Sequence, residues 1–172
     1  MNVVYAIGIW EGGGLSYLRA LSNSYFTNGA IYILDKRIMT QFRPPAESRC
    51  IYFSSGLIGR LQILLYRHFL IFPRFLFCSS GSYTEYFLNG IPSLSRLPFS
   101  SSSVFILCQN KLLFDLKVLN EFSFLYRLKL ILLRFYFVLA TRNIDTILVQ
   151  TLSMQKCIML SLISSPNFLR LP

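Results

Sequence analysis

Residues Phe122–Ala140 read FSFLYRLKLILLRFYFVLA, and any fold of this chain must first find a place for them. The stretch holds 15 apolar residues, one serine and three cations, with no acid. Its length matches the roughly 20 residues that a membrane-spanning helix needs. Its cations, however, lie in the middle: Arg127, Lys129 and Arg134. The stretch is therefore apolar enough to enter a bilayer and too charged at its centre to cross one comfortably.

Insertion energies weigh against this stretch as an isolated span. Three central cations cost roughly 8–10 kcal/mol, whereas about a dozen strongly apolar residues return only about 4–7 kcal/mol. In a helix, four polar side chains share one stripe, Ser123, Arg127, Arg134 and Thr141. Such a stripe suits a helix lying in lipid headgroups, or a span whose polar side faces protein. The alternation of Phe124–Leu130 would also fit a strand.

Three further apolar segments lead to a prediction of fold class. Leu57–Phe77 carries arginines at positions 60, 67 and 74, a spacing of seven that a helix would set in one stripe, and Pro73 would end or kink it. Val104–Leu119 fits a helix, and Ile144–Ile163 is a weak second span. We therefore expect a mainly α chain of several apolar, membrane-like helices with poorly defined tertiary structure.

The N-terminal part reads differently from the remainder. Val3–Ile9 is typical of a short strand, which the glycine run Gly12–Gly14 would end. Residues 15–22 fit a short helix, and Asn28-Gly29 marks a turn before a second apolar run, Ala30–Leu34. Short N-terminal strands are expected here.

Composition along the chain divides it into four segments. Residues 1–43 form the N-terminal segment, and Pro44-Pro45 opens an apolar, basic segment over 44–78. Residues 79–103 are rich in Ser, Gly and Pro, which is typical of a linker. Residues 104–165 form an apolar helical region. None of these boundaries is sharp enough to define a domain.

Charge and hydropathy restrict the partners that the chain can have. The chain is 53% hydrophobic and 14% charged, against roughly 25% charged in soluble domains. Its net charge of +10 comes from scattered cations, whereas nucleic-acid binders concentrate theirs on one face or in runs. Nucleic acid is therefore disfavoured as a partner. A lipid membrane, contacted through 122–140 and 57–72, is the expected partner, with membrane localisation if the protein is made.

No motif predicts a catalytic, cofactor-binding or metal site. Gly12–Gly14 has no following Lys-Ser/Thr and reads as a turn rather than a phosphate loop. The four cysteines form no CxxC pair and read as inert thiols, and the single histidine, His68, has no acid beside it in the sequence. The seven acids are scattered singly. We expect no enzyme activity.

A bias in amino-acid composition raises a different hypothesis about function. Phe, Leu, Ile and Ser supply 82 of the 172 residues, and many of their codons are rich in pyrimidines. Chance or antisense translation of pyrimidine-rich DNA would produce this bias. The sequence therefore predicts a product with no defined molecular function, from a dubious open reading frame. The alternative is a small integral or peripheral membrane protein with cationic apolar helices, and a third hypothesis is a basic nucleic-acid-binding module.

Overall fold

A computed structural model of the protein describes residues 1–24, 29–67, 69, 83–88, 102–108, 114, 121–160 and 167–170. Strands and helices are interspersed along the described chain. The strands are β1 (Asn2–Ala6), β2 (Ile31–Asp35), β3 (Arg49–Phe53), β4 (Tyr83–Phe87), β5 (Ser102–Cys108), β6 (Thr146–Val149) and β7 (Asn167–Arg170). The α-helices are α1 (Gly12–Ser22), α2 (Leu57–Tyr66), α3 (Phe124–Ala140) and α4 (Leu152–Met159). Short 3₁₀ turns cover Lys36–Ile38 and Thr141–Asn143.

The chain divides into two compact units. Unit 1 comprises Met1–Asn89 with Leu97–Ser103, and unit 2 comprises Gly90–Arg96 with Val104–Pro172.

Unit 1 is built on parallel strands in the order β3-β2-β1-β4. The chain runs from β1 outward through β2 to β3 and then returns to place β4 on the other side of β1. Val3 aligns with Ile31 on one side and with Glu85 on the other. The strand order therefore reverses between β1 and β4, and in open α/β sheets such a switch point is where ligands bind.

The central strands of unit 1, β1 and β2, are buried along almost their whole length. All five residues of β2 are buried, and so are the last four of β1. Strands of a parallel sheet that are covered on both faces read as continuous apolar runs rather than alternating ones. This explains why Val3–Ala6 of β1 (VVYA) and Ile31–Leu34 of β2 (IYIL) show no alternating polar face in the sequence.

Unit 2 contains the parallel order β5-β6-β7. Asp145 joins the starts of these strands, because its Oδ2 accepts the Val104 N–H at 2.8 Å and its own N–H donates to the Val104 carbonyl at 3.0 Å. The Asp145 carbonyl also accepts the Asn167 N–H at 3.2 Å. After β6, the Thr151 hydroxyl caps α4 by accepting the Met154 N–H at 3.2 Å.

The apolar stretch Phe122–Ala140 forms α3, a helix of 17 residues that begins at Phe124. Three of its side chains are buried, Leu130, Phe137 and Ala140, and Phe114 meets Phe137 edge-on with ring centroids 4.9 Å apart. Among the described residues, no helix combines the length and the apolar character that crossing a bilayer requires.

The predicted fold class is wrong. The protein is an α/β chain whose strands pair in parallel, not a mainly α set of membrane-like helices with poorly defined tertiary structure. The expected transmembrane helix is likewise wrong for the described residues, because no helix among them is long and apolar enough to cross a bilayer. The physical reason is that buried parallel strands and apolar helices both appear as continuous apolar runs, which periodicity alone does not separate.

Individual elements show where the misreading occurred. Val104–Leu119 was expected to be helical, but it begins as strand β5 up to Cys108. Ile144–Ile163 contains strand β6 and helix α4 rather than one long helix. Helices α2 and α3 do lie within predicted apolar segments, and the N-terminal strands and the helix between them are confirmed. Strand β4 lies within 79–103.

Candidate functional site

A glycine-rich loop follows β1 at the switch point of unit 1. We define this loop as Gly8–Gly13, which reads GIWEGG, and its last two glycines are also the first residues of α1, which begins at Gly12. Gly8 has φ +81 and Gly12 has φ +65, a conformation that costs other residues roughly 1–2 kcal/mol. A Cβ built on Gly8, Gly12 or Gly13 would meet no heavy atom within 4 Å. The loop therefore borders open space, and its backbone is accessible.

Asp35, the last residue of β2, holds this loop in place. Its Oδ2 accepts the Gly8 N–H at 3.1 Å, and its Oδ1 accepts the Arg37 N–H at 3.0 Å. The Arg37 guanidinium adds two more bonds, from Nε at 3.0 Å and from Nη2 at 2.8 Å. Burial raises the pKa of the Asp35 carboxyl, but the bonds from Arg37 and Gly8 outweigh it and hold this pKa below its ordinary value.

The four hydrogen bonds occupy the acceptor positions of the Asp35 carboxylate, which has about four lone-pair sites. Asp35 is 1% exposed, whereas the paired Arg37 side chain is 45% exposed. An acid at this place in a dinucleotide-binding fold would accept the ribose hydroxyls. In this protein Asp35 is a positioning residue instead, and it connects the ends of β1 and β2.

Trp10, a residue of the loop, packs against the side chain of Arg37. The guanidinium carbon of Arg37 lies 4.7 Å from the centroid of the Trp10 ring, a cation–π arrangement. Trp10 is 38% exposed and is the single tryptophan of the chain. Hydrogen bonding to Asp35 raises the pKa of Arg37, so this cation stays charged. The loop thus carries an exposed aromatic ring of its own and has an exposed cation beside it.

Helix α1 turns its N-terminus toward the same loop. Glu11 is its N-cap residue, but the Glu11 side chain makes no capping hydrogen bond, and the first turn contains no acid. The first N–H groups of any helix lack partners within the helix, and the helix dipole adds partial positive charge at this end. Together with the glycine loop, this arrangement favours an anionic group.

A second polar cluster lies inside unit 1, where Arg67 follows α2. Its Nε donates to Glu85 Oε1 at 2.8 Å and its Nη2 donates to Glu85 Oε2 at 2.7 Å. Both side chains are almost fully buried, at 2% and 1% exposure. The hydroxyls of Tyr5 and Tyr83 also donate to Glu85 Oε1, at 2.8 and 2.9 Å.

This second cluster is structural rather than a binding site. Burial raises the pKa of both tyrosines, and the Glu85 carboxylate raises it further, so both hydroxyls keep their protons. Burial acts to lower the pKa of Arg67, but the hydrogen bonds to Glu85 outweigh this and leave it raised. The two tyrosines and Arg67 thus hold the charge states that their bonds to Glu85 require. The cluster joins the end of α2 to β1 and β4.

The glycines, the histidine and the cysteines considered as candidate site residues lie in different parts of the chain's structure. Gly12–Gly14 is the first turn of α1 rather than a turn that ends regular structure. His68 and Cys78 lie outside the described residues. Cys108 is buried, and Cys50 and Cys157 are partly exposed. Over the described part of the chain, no three of the His, Cys, Asp and Glu side chains are grouped to hold a metal ion.

The sequence reasoning missed Asp35 and Arg37. The available signal was the combination of a buried strand, a glycine-rich loop, a helix and a second strand ending in an acid. That order is characteristic of a βαβ unit that binds a ligand at the carboxyl ends of its strands. This βαβ unit was not recognised because its glycines lack the Gly-x-Gly-x-x-Gly spacing and no Lys-Ser/Thr follows them.

Comparison with known proteins identifies no relative of this chain. No family model matches the chain, and neither the curated proteins nor the solved structures contain a match. The prediction of a product without a defined molecular function therefore stays a prediction, as does the lipid membrane as a partner.

Proposed function

We propose that unit 1 is a binding module for a small molecule that carries a phosphate or diphosphate group. The ligand's anionic group would lie against the loop Gly8–Gly13 and the N-terminus of α1. The observation that carries the proposal is the position of this loop, which follows β1 next to the reversal of strand order between β1 and β4. That position is the general ligand site of open α/β sheets.

The local chemistry supports an anion more than any other ligand class. Backbone N–H groups at the start of α1 are free of a side-chain cap, and the space above Gly12 and Gly13 is open. Arg37 is exposed and permanently charged, and Asp35 holds its Nε and Nη2 in place beside the loop. A guanidinium held in this way loses little freedom on binding a phosphate.

Two features narrow the ligand further. The glycine run has no following Lys-Ser/Thr, so the loop lacks the side chains that a P-loop uses on a triphosphate and its Mg²⁺. The Asp35 carboxylate has no acceptor position left for a ribose diol. The proposed ligand is therefore recognised mainly through its phosphate group.

Isothermal titration calorimetry of the full chain tests the proposal. Inorganic pyrophosphate and a nucleoside diphosphate should bind, and the corresponding nucleoside, which lacks phosphate, should bind at least tenfold more weakly. Replacing Arg37 with Gln should reduce diphosphate affinity about tenfold or more, because a charge-assisted contact is worth roughly 1.5–3 kcal/mol. Arg43→Gln removes a cation elsewhere in unit 1 and is the matched control. Equal affinity for nucleoside and nucleoside diphosphate would refute phosphate recognition.

A further inference from the structure

Trp10 and Arg37 form a stacked pair at the loop Gly8–Gly13. The guanidinium carbon of Arg37 lies 4.7 Å from the centroid of the Trp10 ring. Both side chains stay accessible in this arrangement, Arg37 at 45% and Trp10 at 38% exposure. A guanidinium and an indole both have flat π surfaces, so each can stack on a further planar group. The Trp10–Arg37 pair therefore offers a ligand a flat, positively charged contact surface.

Asp35 fixes the guanidinium of this pair. Its carboxylate accepts hydrogen bonds from Nε, from Nη2 and from the backbone N–H of Arg37. Arg37 also belongs to the 3₁₀ turn Lys36–Ile38, which has Asp35 as its N-cap. Because the Arg37 side chain is already ordered, stacking a ligand on the pair costs little further side-chain entropy.

The same carboxylate fixes the loop that carries the ring. Asp35 Oδ2 accepts the Gly8 N–H at 3.1 Å, two residues before Trp10, and Gly12 begins α1 two residues after it. The ring is thus attached to the backbone segment that would hold the anionic group of the ligand. A diphosphate on this segment brings the group that it carries close to the ring.

We propose that the ligand of this site is a nucleoside diphosphate, whose base stacks with the Trp10–Arg37 pair while its diphosphate lies against the loop. The inference rests on the proposed function and deepens it, because it names the group that the diphosphate carries. Stacking does not depend on the hydrogen-bonding groups at the edge of a base, since every base has a π face. The site should therefore accept adenine and guanine alike.

The charge on Arg37 favours a base over an alkyl group at this position. An alkyl chain could contact the indole, but it would also remove water from the neighbouring guanidinium without replacing the lost interactions. A planar π system compensates a cation through its quadrupole. The exposed cation over the ring thus points to a nucleotide rather than to an alkyl diphosphate.

Isothermal titration calorimetry of the full chain with matched diphosphates tests the base contact. Adenosine diphosphate should bind about tenfold or more tightly than methyl diphosphate, which carries the same anionic group without a base. Guanosine diphosphate should bind within about threefold of adenosine diphosphate, because both purines stack.

Substitutions at Trp10 separate stacking from mere support of the loop. Trp10→Leu should bring adenosine diphosphate to within about threefold of methyl diphosphate and leave the affinity for methyl diphosphate nearly unchanged. Trp10→Phe keeps a ring and should retain a preference of about three- to tenfold. Phe69→Leu removes a 70% exposed ring after α2 and is the matched control. Far-UV circular dichroism checks that each variant keeps its fold.

The failures of the two proposals give different results. If the parent binds adenosine diphosphate and methyl diphosphate equally, base stacking is overturned while phosphate recognition stands. A parent that binds neither compound overturns both proposals. Equal losses of affinity for the two compounds in Trp10→Leu would show that the ring only supports the loop, which would also overturn base stacking.

Discussion

Arg67 and Glu85 form a buried, two-pronged ion pair that joins the residue after α2 to the middle of β4. Their sequence separation is 18 residues, and the tyrosine hydroxyls of Tyr5 and Tyr83 complete the coordination of the carboxylate. An ion pair so deeply buried is tolerated only where its remaining hydrogen-bonding groups are satisfied. The geometry here meets that condition for the Glu85 carboxylate.

Removing one member of the Arg67–Glu85 pair should destabilise the fold far more than replacing both members with apolar residues. Glu85→Gln leaves a buried guanidinium without its counter-charge and should lower the free energy of unfolding by about 3–5 kcal/mol. The double variant Arg67→Met/Glu85→Leu removes both charges and should be less destabilised than Glu85→Gln alone. Urea unfolding followed by circular dichroism measures both. If the double variant is destabilised as much as Glu85→Gln or more, the two residues are not coupled as described.

Asp35 should make unit 1 sensitive to acid. Its pKa is held low in the folded state, so its contribution to stability is present above the unfolded pKa of about 3.9 and is lost as the pH falls through the lower folded value. Asp35→Asn should lower stability at pH 7 and remove this part of the acid dependence. Urea midpoints measured between pH 2.5 and pH 7 check it. If the urea midpoint of the variant falls at low pH as steeply as that of the parent, the Asp35 bonds contribute nothing to stability.

Two loop glycines should respond in opposite directions to the same substitution. Gly8→Ala forces a positive φ on an L side chain and should cost about 1–2 kcal/mol of stability. Gly13→Ala lies within α1 with open space around it and should stabilise by a few tenths of a kcal/mol up to about 1 kcal/mol. Thermal unfolding of both variants measures the difference. Equal losses would show that the loop backbone differs from the one described.

Glu11 should weaken the proposed anion site. It is exposed, caps α1 without a side-chain hydrogen bond, and lies close enough to Arg37 to raise the pKa of that guanidinium. Glu11→Gln removes a negative charge beside the ligand and should tighten pyrophosphate binding about two- to fivefold, as expected for a charge near a helix N-terminus. Calorimetry at low and high salt checks this effect, which salt should reduce. Glu47→Gln, in the loop before β3, is the control.

The sequence contained enough to place the N-terminal βαβ unit but not the class of the whole chain. Val3–Ile9, residues 15–22 and Ala30–Leu34 were assigned to the correct element types, because glycines and a turn separate them. The C-terminal part has fewer such separators. Ile144–Ile163 was read as one apolar segment, although Thr151 caps a new helix within it.

The polar network could not be read from the sequence, since its partners meet only in the fold. Arg67 appeared to be a cation interrupting an apolar run with no acid nearby, and Glu85 lay in a stretch expected to be a linker. Parallel pairing of β1 with β4 brings Tyr5 and Glu85 into one cluster although they are 80 residues apart. Local propensity carries no information about such a separation.

The central claim is that the Gly8–Gly13 loop binds an anionic phosphate group, and the fluorescence of Trp10 can report it. Trp10 is the single tryptophan and lies within this loop, so its emission should change saturably as pyrophosphate is added to the full chain. Gly13→Asp should weaken this titration at least tenfold, whereas Gly13→Asn, of the same size without the charge, should stay within about threefold of the parent. A parent chain with no saturable response, or equal affinities for the two Gly13 variants, would contradict the account.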